Sequence, residues 1–166
     1  MADPVAPGSS IRRLGERVEA RLERRLGHDQ QTVWRMLTDP EKLALWLAPG
    51  TIELKPGGRA RLDFSDSGRI IDSAVSRCEP PRLLEYSWSQ GSEAVRPLHW
   101  EVTPAPEGTR LRLTVTLPAD DDAAKACGGF DAHLEMLAAA LEGIPIAFPV
   151  SYYLERRRAW QSMLAA

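Results

Sequence analysis

The sequence predicts an α+β fold in which a curved antiparallel sheet of about six to seven strands wraps around one long helix near the C-terminus. The first observation is a series of short runs between Thr51 and Leu117 in which apolar and polar residues alternate, with Gly- and Pro-containing turns between them. Such runs are typical of an antiparallel sheet with one wet face. The second is that apolar residues recur at helical spacing after Pro118. That helix must bury its apolar stripe, and the sheet offers the surface for it.

Composition and charge limit the classes of function. The 166 residues are 43% apolar and 27% charged, which suits one globular domain, and the net charge of −2 excludes a basic nucleic-acid footprint over the whole chain. No apolar stretch approaches the roughly 18 residues that span a bilayer, and MADPVAPGSS at the N-terminus lacks the features of a signal peptide. Cys78 and Cys127 lie outside any CxxC pair, so we expect free thiols and a cytoplasmic protein without nucleic-acid or membrane partners.

The first strand is predicted over residues 16–26. In the run ERVEARLERRL, Val18, Ala20 and Leu22 alternate with charged residues, which is the period of a half-buried strand. A helix is the alternative interpretation, because these residue types also form helices readily. The preceding residues, 1–14, are expected to form a flexible tail.

Two short helices are predicted after this strand. Asp29 stands at the N-cap position of the first, and Asp39 at that of the second, which carries Pro40 in its first turn. Apolar residues recur on one face of each helix, Val33, Trp34 and Leu37 on the first and Leu43, Trp46 and Leu47 on the second.

Six further strands are predicted in the runs TIEL, RARLDF, RIIDSAVSRC, LLEYSW, PLHWEV and TRLRLTVTL. Alternation places Tyr86 and Trp88 on the inward face of one strand and Trp100 on the inward face of the next. Asp72 lies in RIIDSAV, where a bulge could turn its side chain to either face, so its orientation stays open.

The long helix is predicted over residues 120–142. Its apolar side chains fall within one narrow stripe formed by Cys127, Phe130, Leu134, Leu137 and Leu141. Gly143 and Pro145 then end the helix. These signals bound a main domain of residues 15–143.

Residues 144–166 are predicted to form a C-terminal helical extension, with a helix from Ser151 to Leu164. Tyr153, Trp160 and Leu164 share one face of that helix. An apolar face of this size must cover either the chain's own domain or a second subunit, so a homodimer is one expected possibility.

Three segments resemble a known family. VWRMLTDPEKLALWL matches the pattern V-W-x-x-L-T-D-P-x-x-L-x-x-W, EPPRLLEYSW matches D-P-P-x-x-L-x-Y-x-W from its Pro80-Pro81 pair onward, and GGFDAHLEMLAAALEG resembles a helix that begins G-W. Phe130 stands where that helix usually has tryptophan. Over roughly Arg17 to Gly143 the chain is similar to the START-like (SRPBCC) superfamily, and within it to homologues of the activator of the heat-shock-protein-90 ATPase. The resemblance implies a helix-grip (START/Bet v-like) fold.

Several aromatic residues are predicted to face one interior between the sheet and the long helix. The sequence predicts a cavity there for a small apolar molecule, lined by Trp46, Tyr86, Trp88, Trp100, Phe130, His133 and Leu137. Plain core packing is the alternative for the aromatic rings. His133 lies about 70 degrees from the centre of the helical stripe, where it could contact a ligand, act as an acid–base group or simply be satisfied by a neighbour.

Motifs for cofactor chemistry are missing from the sequence. There is no HExxH, no CxxC pair, no GxSxG elbow and no phosphate-binding loop, so we expect no metal, no cofactor and no assignable catalytic residue. His28 and His99 are expected at the surface. The predicted function is therefore small-molecule binding with an unknown ligand, rather than catalysis. The alternatives are a cyclase, lyase or hydrolase that uses His133 and Tyr86, or a co-chaperone-like domain that contacts a chaperone, since the superfamily hosts all of these.

Overall fold

An eight-stranded antiparallel sheet and four helices make up the computed structural model, which describes residues 8–64, 69–120 and 122–165. In chain order the elements are β1 Ser10–Leu14, β2 Arg17–Leu26, α1 Gln30–Thr38, α2 Pro40–Trp46, β3 Gly50–Ile52, β4 Arg59–Phe64, β5 Arg69–Glu79, β6 Leu83–Ser87, β7 Pro97–Ala105, β8 Gly108–Pro118, α3 Asp122–Leu141 and α4 Val150–Ala165. The predicted α+β fold, with two short helices and one long C-terminal helix, is confirmed.

The strands from β3 to β8 follow one another as neighbours, and one long-range pairing completes the sheet. The order is β1-β2-β8-β7-β6-β5-β4-β3, in which β2 pairs with β8 from Arg17 opposite Pro118 to Leu26 opposite Thr109. Leu22 lies opposite Leu113, and both side chains are completely buried. The alternation in these two sequences therefore builds one apolar face of the sheet, and the strand interpretation of residues 16–26 is confirmed over the helical one.

The sheet has eight strands and not the predicted six to seven, because the edge strand β1 was not predicted. Ser10–Leu14 pair with β2, although residues 1–14 were expected to form a flexible tail, while residues 1–7 lie outside the described residues. Gly15 forms the turn with a φ of 65°, which glycine adopts without steric cost. The alternation of residues does not indicate β1, because only Ile11 of this strand packs against the core. Backbone hydrogen bonds to β2 stabilise the strand instead.

The two short helices begin at the predicted caps. The Asp29 carboxylate accepts a hydrogen bond from the Thr32 N–H at 2.8 Å, and the Asp39 carboxylate accepts one from the Glu41 N–H at 3.0 Å. Each bond satisfies a backbone donor that the first turn of a helix leaves unpaired. The caps therefore fix where α1 and α2 start, and with that the position of Trp46 at the end of α2.

The long helix α3 packs its apolar stripe against the sheet. Cys127, Phe130, Leu134 and Leu137 of that stripe are buried in the same core as the inward residues of β2, β7 and β8. α4 packs on α3 in turn, with Trp160 completely buried. The face of α4 thus covers its own domain. Within the described residues no helix combines the length and hydropathy needed to cross a membrane.

Gly128 of α3 lies close to the backbone of α4. A Cβ atom at this position would stand only 3.0 Å from the backbone nitrogen of Arg157. A residue without a side chain is what allows the two helix backbones to approach. Gly128 therefore serves the contact between the two helices.

Candidate functional site

Three aromatic residues from different elements meet on the inward face of the sheet. In the pairing of β6 with β7, Leu84 lies opposite Trp100 and Tyr86 opposite Leu98, and all four residues are buried. Trp46 of α2 meets Trp100 edge to face, with ring centroids 5.9 Å apart and an interplanar angle of 90°. This geometry is favourable for aromatic pairs. Tyr86, Trp100 and Trp46 thus form the inner part of the candidate site.

The two indole N–H groups of this pair differ in their hydrogen bonding. Nε1 of Trp46 donates to the carbonyl oxygen of Met36 at 2.7 Å. Nε1 of Trp100 is buried and reaches no acceptor in good geometry among the described residues, although the Tyr86 hydroxyl lies nearby. Burial raises the pKa of the Tyr86 phenol, an effect that the Trp100 N–H only partly offsets. A buried donor without an acceptor costs about 1–3 kcal/mol.

A second aromatic group adjoins the long helix. Trp88 lies just beyond the end of β6, and its ring meets Phe64 of β4 at 4.8 Å and Phe130 of α3 at 4.9 Å. Phe130 is buried, whereas Phe64 and Trp88 are half-buried. These contacts connect the helix to two strands at the edge of the buried core.

His133 links the two aromatic groups. Its Nδ1 lies 2.8 Å from the carbonyl oxygen of Trp46. Because a carbonyl oxygen can only accept, Nδ1 carries the hydrogen and donates it, which leaves the lone pair of a neutral imidazole on Nε2. The described residues supply no hydrogen-bond partner for Nε2.

Aromatic rings flank His133 on two sides. Its ring centroid lies 5.8 Å from that of Phe64 and 5.4 Å from that of Phe148, which belongs to the segment between α3 and α4. Burial lowers the pKa of His133 below its ordinary value, and the hydrogen bond to Trp46 opposes this only in part. The imidazole is therefore neutral at pH 7 and offers a hydrogen-bond acceptor in an apolar setting.

The structure brings the seven predicted site residues into one region. Leu137 is completely buried one turn beyond His133 on α3 and belongs to the same hydrophobic core. Trp46 joins the two aromatic groups, since its ring contacts Trp100 and its carbonyl binds His133. That the seven residues line a ligand cavity stays a prediction.

The sequence interpretation missed three aromatic members of this region. Phe64 lies in the predicted strand RARLDF, but it was not assigned to the site. Phe148 contacts His133, and Tyr153 of α4 contacts Phe148 with ring centroids 5.6 Å apart. Phe148 lies in an irregular segment between Pro145 and Pro149, where no periodicity indicates which way a side chain points.

A buried ionic cluster on α3 was also missed. Asp131 is completely buried, and its two carboxylate oxygens accept hydrogen bonds from Arg24 of β2 at 2.7 Å, from Nε of Arg156 at 2.9 Å and from Nε1 of Trp160 at 2.7 Å. Charge-assisted bonds of this kind compensate for the burial of the carboxylate. The cluster joins α3 to the sheet and to α4, so its role is structural.

The remaining predicted polar candidates lie outside this region. Asp72 forms a two-bond ion pair with Arg59 at 2.6 and 2.8 Å on the exposed side of the sheet. His99 pairs with Glu85 at 2.7 Å and His28 with Glu142 at 3.2 Å, both at the surface or half-buried. Over the described part of the chain, no three His, Cys, Asp or Glu side chains are grouped to hold a metal ion.

A surface groove lies elsewhere on the described part of the chain. Its volume is 520 Å³, and its walls come from Arg13 of β1, Ala124 of α3, and Arg157 and Leu164 of α4. The Arg13 guanidinium already donates to the carbonyl oxygen of Leu164 at 3.0 Å. None of the seven predicted site residues borders it, and the aromatic region remains the stronger candidate.

Comparisons with known proteins agree with this fold. The family model described as Activator of Hsp90 ATPase homolog 1-like protein matches residues 28–142. No curated protein sequence matches the chain significantly. Among solved structures, a conserved protein of unknown function from Enterococcus faecalis, EF2215, superposes with a TM-score of 0.79 at 18% identity, covering 95% of this chain and 91% of the other.

Two more solved structures show the same fold. CalU16 from Micromonospora echinospora has a TM-score of 0.76 at 22% identity, covering 96% of each chain. The protein encoded by gene BPP1335 from Bordetella parapertussis has a TM-score of 0.68 at 29% identity, covering 93% of this chain and 90% of the other. The family match confirms the resemblance found in the sequence, and the solved structures confirm the fold.

Proposed function

Since the chain belongs to the Activator of Hsp90 ATPase homolog 1-like family, we propose that it binds a small apolar or aromatic molecule between its sheet and α3. The observation that carries the proposal is the buried indole N–H of Trp100, which makes no hydrogen bond of good geometry among the described residues, although the Tyr86 hydroxyl lies nearby. In the core of a folded protein, nearly every buried polar group has a hydrogen-bond partner. A ligand that supplies an acceptor would give the Trp100 N–H such a partner.

The surroundings of Trp100 support the same function. Small-molecule sites are lined mainly by apolar and aromatic side chains, with a few polar groups that orient the ligand. Here the aromatic lining of Trp46, Trp88 and Phe130 is accompanied by three polar groups, the Trp100 N–H, the Tyr86 hydroxyl and Nε2 of His133.

The proposal is tested first without any added ligand. Native mass spectrometry of the purified protein is expected to show a mass above that of the chain, which disappears on unfolding. In a second experiment the emission of N-phenyl-1-naphthylamine, a neutral apolar dye, is titrated with protein. We expect saturable enhancement at one dye per chain.

Two variants test whether the dye binds at the candidate site. Trp88→Ala removes a half-buried ring that contacts Phe130, and it is expected to weaken dye binding at least tenfold. Leu54→Ala is the control, because Leu54 is 43% exposed and lies between β3 and β4, away from α3. Equal binding by both variants, or no enhancement by the unaltered protein, would contradict the proposal.

A second candidate function is contact with a chaperone of the heat-shock-protein-90 class, as the name of the family suggests. The observation in its favour is a run of exposed apolar side chains in and after the segment between α3 and α4, namely Ile144, Ile146, Phe148, Val150 and Leu154. Exposed apolar groups that cluster in this way are typical of interaction surfaces.

The chaperone candidate is tested by measuring the ATPase rate of a bacterial chaperone of this class with and without the protein. Stimulation that is lost in the double variant Ile144→Ser, Ile146→Ser and kept in Leu54→Ser would support it. An ATPase rate that does not respond to the protein would remove it. The free thiols of Cys78 and Cys127 are compatible with the cytoplasmic location that such a contact needs.

A further inference from the structure

The polar groups of the candidate site differ in whether they can donate a hydrogen bond to a ligand or accept one from it. Trp100 presents an N–H, which can only donate. The neighbouring Trp46 offers no such group, because its own N–H is bonded to the carbonyl oxygen of Met36 at 2.7 Å. A ligand near Trp100 therefore satisfies the site only if it carries a hydrogen-bond acceptor.

His133 presents the opposite requirement. Its Nδ1–H donates to the carbonyl oxygen of Trp46 at 2.8 Å, so Nε2 accepts and does not donate. A protonated imidazole would provide a donor at Nε2, but burial lowers the pKa of His133 and keeps the ring neutral at pH 7. A ligand group that contacts Nε2 must therefore be an O–H or N–H donor.

The seven predicted site residues offer a ligand no free charge. The seven predicted site residues are aromatic or aliphatic apart from the neutral His133. The completely buried Asp131 is bonded to Arg24, Arg156 and Trp160, which join it to β2 and α4. An ionised ligand would lose its hydration without gaining a partner charge, which is strongly unfavourable.

Trp46 contacts both Trp100, which offers the donor, and His133, which offers the acceptor. The Trp46 ring lies 5.9 Å from the Trp100 ring, and the Trp46 carbonyl is bonded to His133. We infer that the ligand of the proposed function is a neutral aromatic molecule with a hydrogen-bond acceptor for Trp100 Nε1 and a hydrogen-bond donor for His133 Nε2. This inference rests on the proposed function and narrows it to one polarity pattern.

A series of naphthalenes tests the polarity pattern in the unaltered protein. 6-Acetyl-2-naphthol carries a carbonyl acceptor and a hydroxyl donor, 2-acetylnaphthalene carries the acceptor alone, naphthalene carries neither, and 2-naphthoate carries a negative charge. We expect the dissociation constant to rise about 3- to 10-fold for each hydrogen bond lost. We expect no measurable binding of 2-naphthoate. Isothermal titration calorimetry at pH 7.5 measures all four.

Two substitutions assign each hydrogen bond to its residue. Replacing Trp100 by 3-benzothienylalanine keeps the shape of the ring system and removes only the N–H, and it should abolish the advantage that the acetyl group confers on 2-acetylnaphthalene over naphthalene. His133→Phe should abolish the advantage of 6-acetyl-2-naphthol over 2-acetylnaphthalene. In the unaltered protein the indole ¹⁵N–H resonance of Trp100 should move downfield with the acetyl probes and stay in place with naphthalene, a readout that needs no variant.

The outcomes separate the inference from the proposed function. Equal affinities across the neutral probes, or tightest binding of 2-naphthoate, would overturn the polarity pattern while leaving small-molecule binding intact. Failure of every naphthalene and of N-phenyl-1-naphthylamine to bind would overturn both. A graded series together with the Trp100 resonance shift would support the inference.

Discussion

Nδ1 of His133 donates to the carbonyl oxygen of Trp46 across 2.8 Å, although the two residues are 87 positions apart. The bond connects the middle of α3 to the C-terminal end of α2. It also decides which nitrogen of the imidazole keeps its lone pair as an acceptor, namely Nε2. The same contact therefore stabilises the packing of two helices and defines the chemistry of the candidate site.

The buried histidine makes stability depend on pH. Because the pKa of His133 is lower in the folded protein than in the unfolded chain, the unfolded chain binds more protons as the pH falls below about 6.5. The stability is complete above that pH and declines as the pH falls through the folded pKa, by at most about 1.4 kcal/mol per pH unit from one group. Urea unfolding at pH 7.5, 6.5 and 5.5 should show this decline, and His133→Gln should reduce it. An identical slope in the variant, which keeps His28 and His99, would contradict the role of His133.

The Asp131 cluster should contribute heavily to stability. Asp131→Asn removes the charge that two buried arginine contacts require, and we expect it to lower the free energy of unfolding by about 3–5 kcal/mol. Asp72→Asn is the matched control, because its ion pair with Arg59 is exposed to solvent. Urea denaturation measures both. If Asp72→Asn lowered the free energy of unfolding as much as Asp131→Asn, burial would not determine how much these ion pairs contribute to stability.

The two adjacent glycines of α3 should respond in opposite directions to alanine. Gly128→Ala places a methyl group 3.0 Å from the backbone of Arg157, so we expect a loss of about 1–3 kcal/mol as α4 shifts. Gly129→Ala meets nothing within 4 Å and should stabilise the helix by about 0.5–1 kcal/mol. Melting temperatures measured by circular dichroism give the signs. Similar shifts in both variants would argue against a close crossing of α3 and α4 at Gly128.

The two thiols should differ in reactivity. Cys127 is completely buried, and burial together with the nearby Asp131 carboxylate raises its pKa, so the reactive thiolate is scarce and inaccessible. Cys78 is half-buried, and burial raises its pKa as well. We expect iodoacetamide at pH 8 to label Cys78 before Cys127 in the folded protein, as followed by peptide mass spectrometry. In urea the two should react alike, and faster labelling of Cys127 without urea would contradict its position in the core.

Local sequence signals predicted most of the elements correctly. Alternation identified β2 and the strands from β3 to β8, because a side chain in a strand points to the face opposite that of its neighbours. Asp29 and Asp39 marked the starts of α1 and α2, because each caps its own helix. The apolar stripe located α3. β1 was missed because its stability comes from pairing with β2 and not from its own side chains.

The sequence by itself determined the order of the elements from β2 onward, their inward faces and five of the aromatic residues gathered at the candidate site, since periodicity, caps and turns act over a few neighbouring residues. Only the tertiary structure decided that His133 binds Trp46, that the Trp100 N–H makes no hydrogen bond of good geometry among the described residues, and that Asp131 binds Arg24 across 107 positions. These features depend on distances between atoms that the chain brings together from separate elements. No local pattern encodes such a distance, because it follows from the packing of the sheet and helices as a whole.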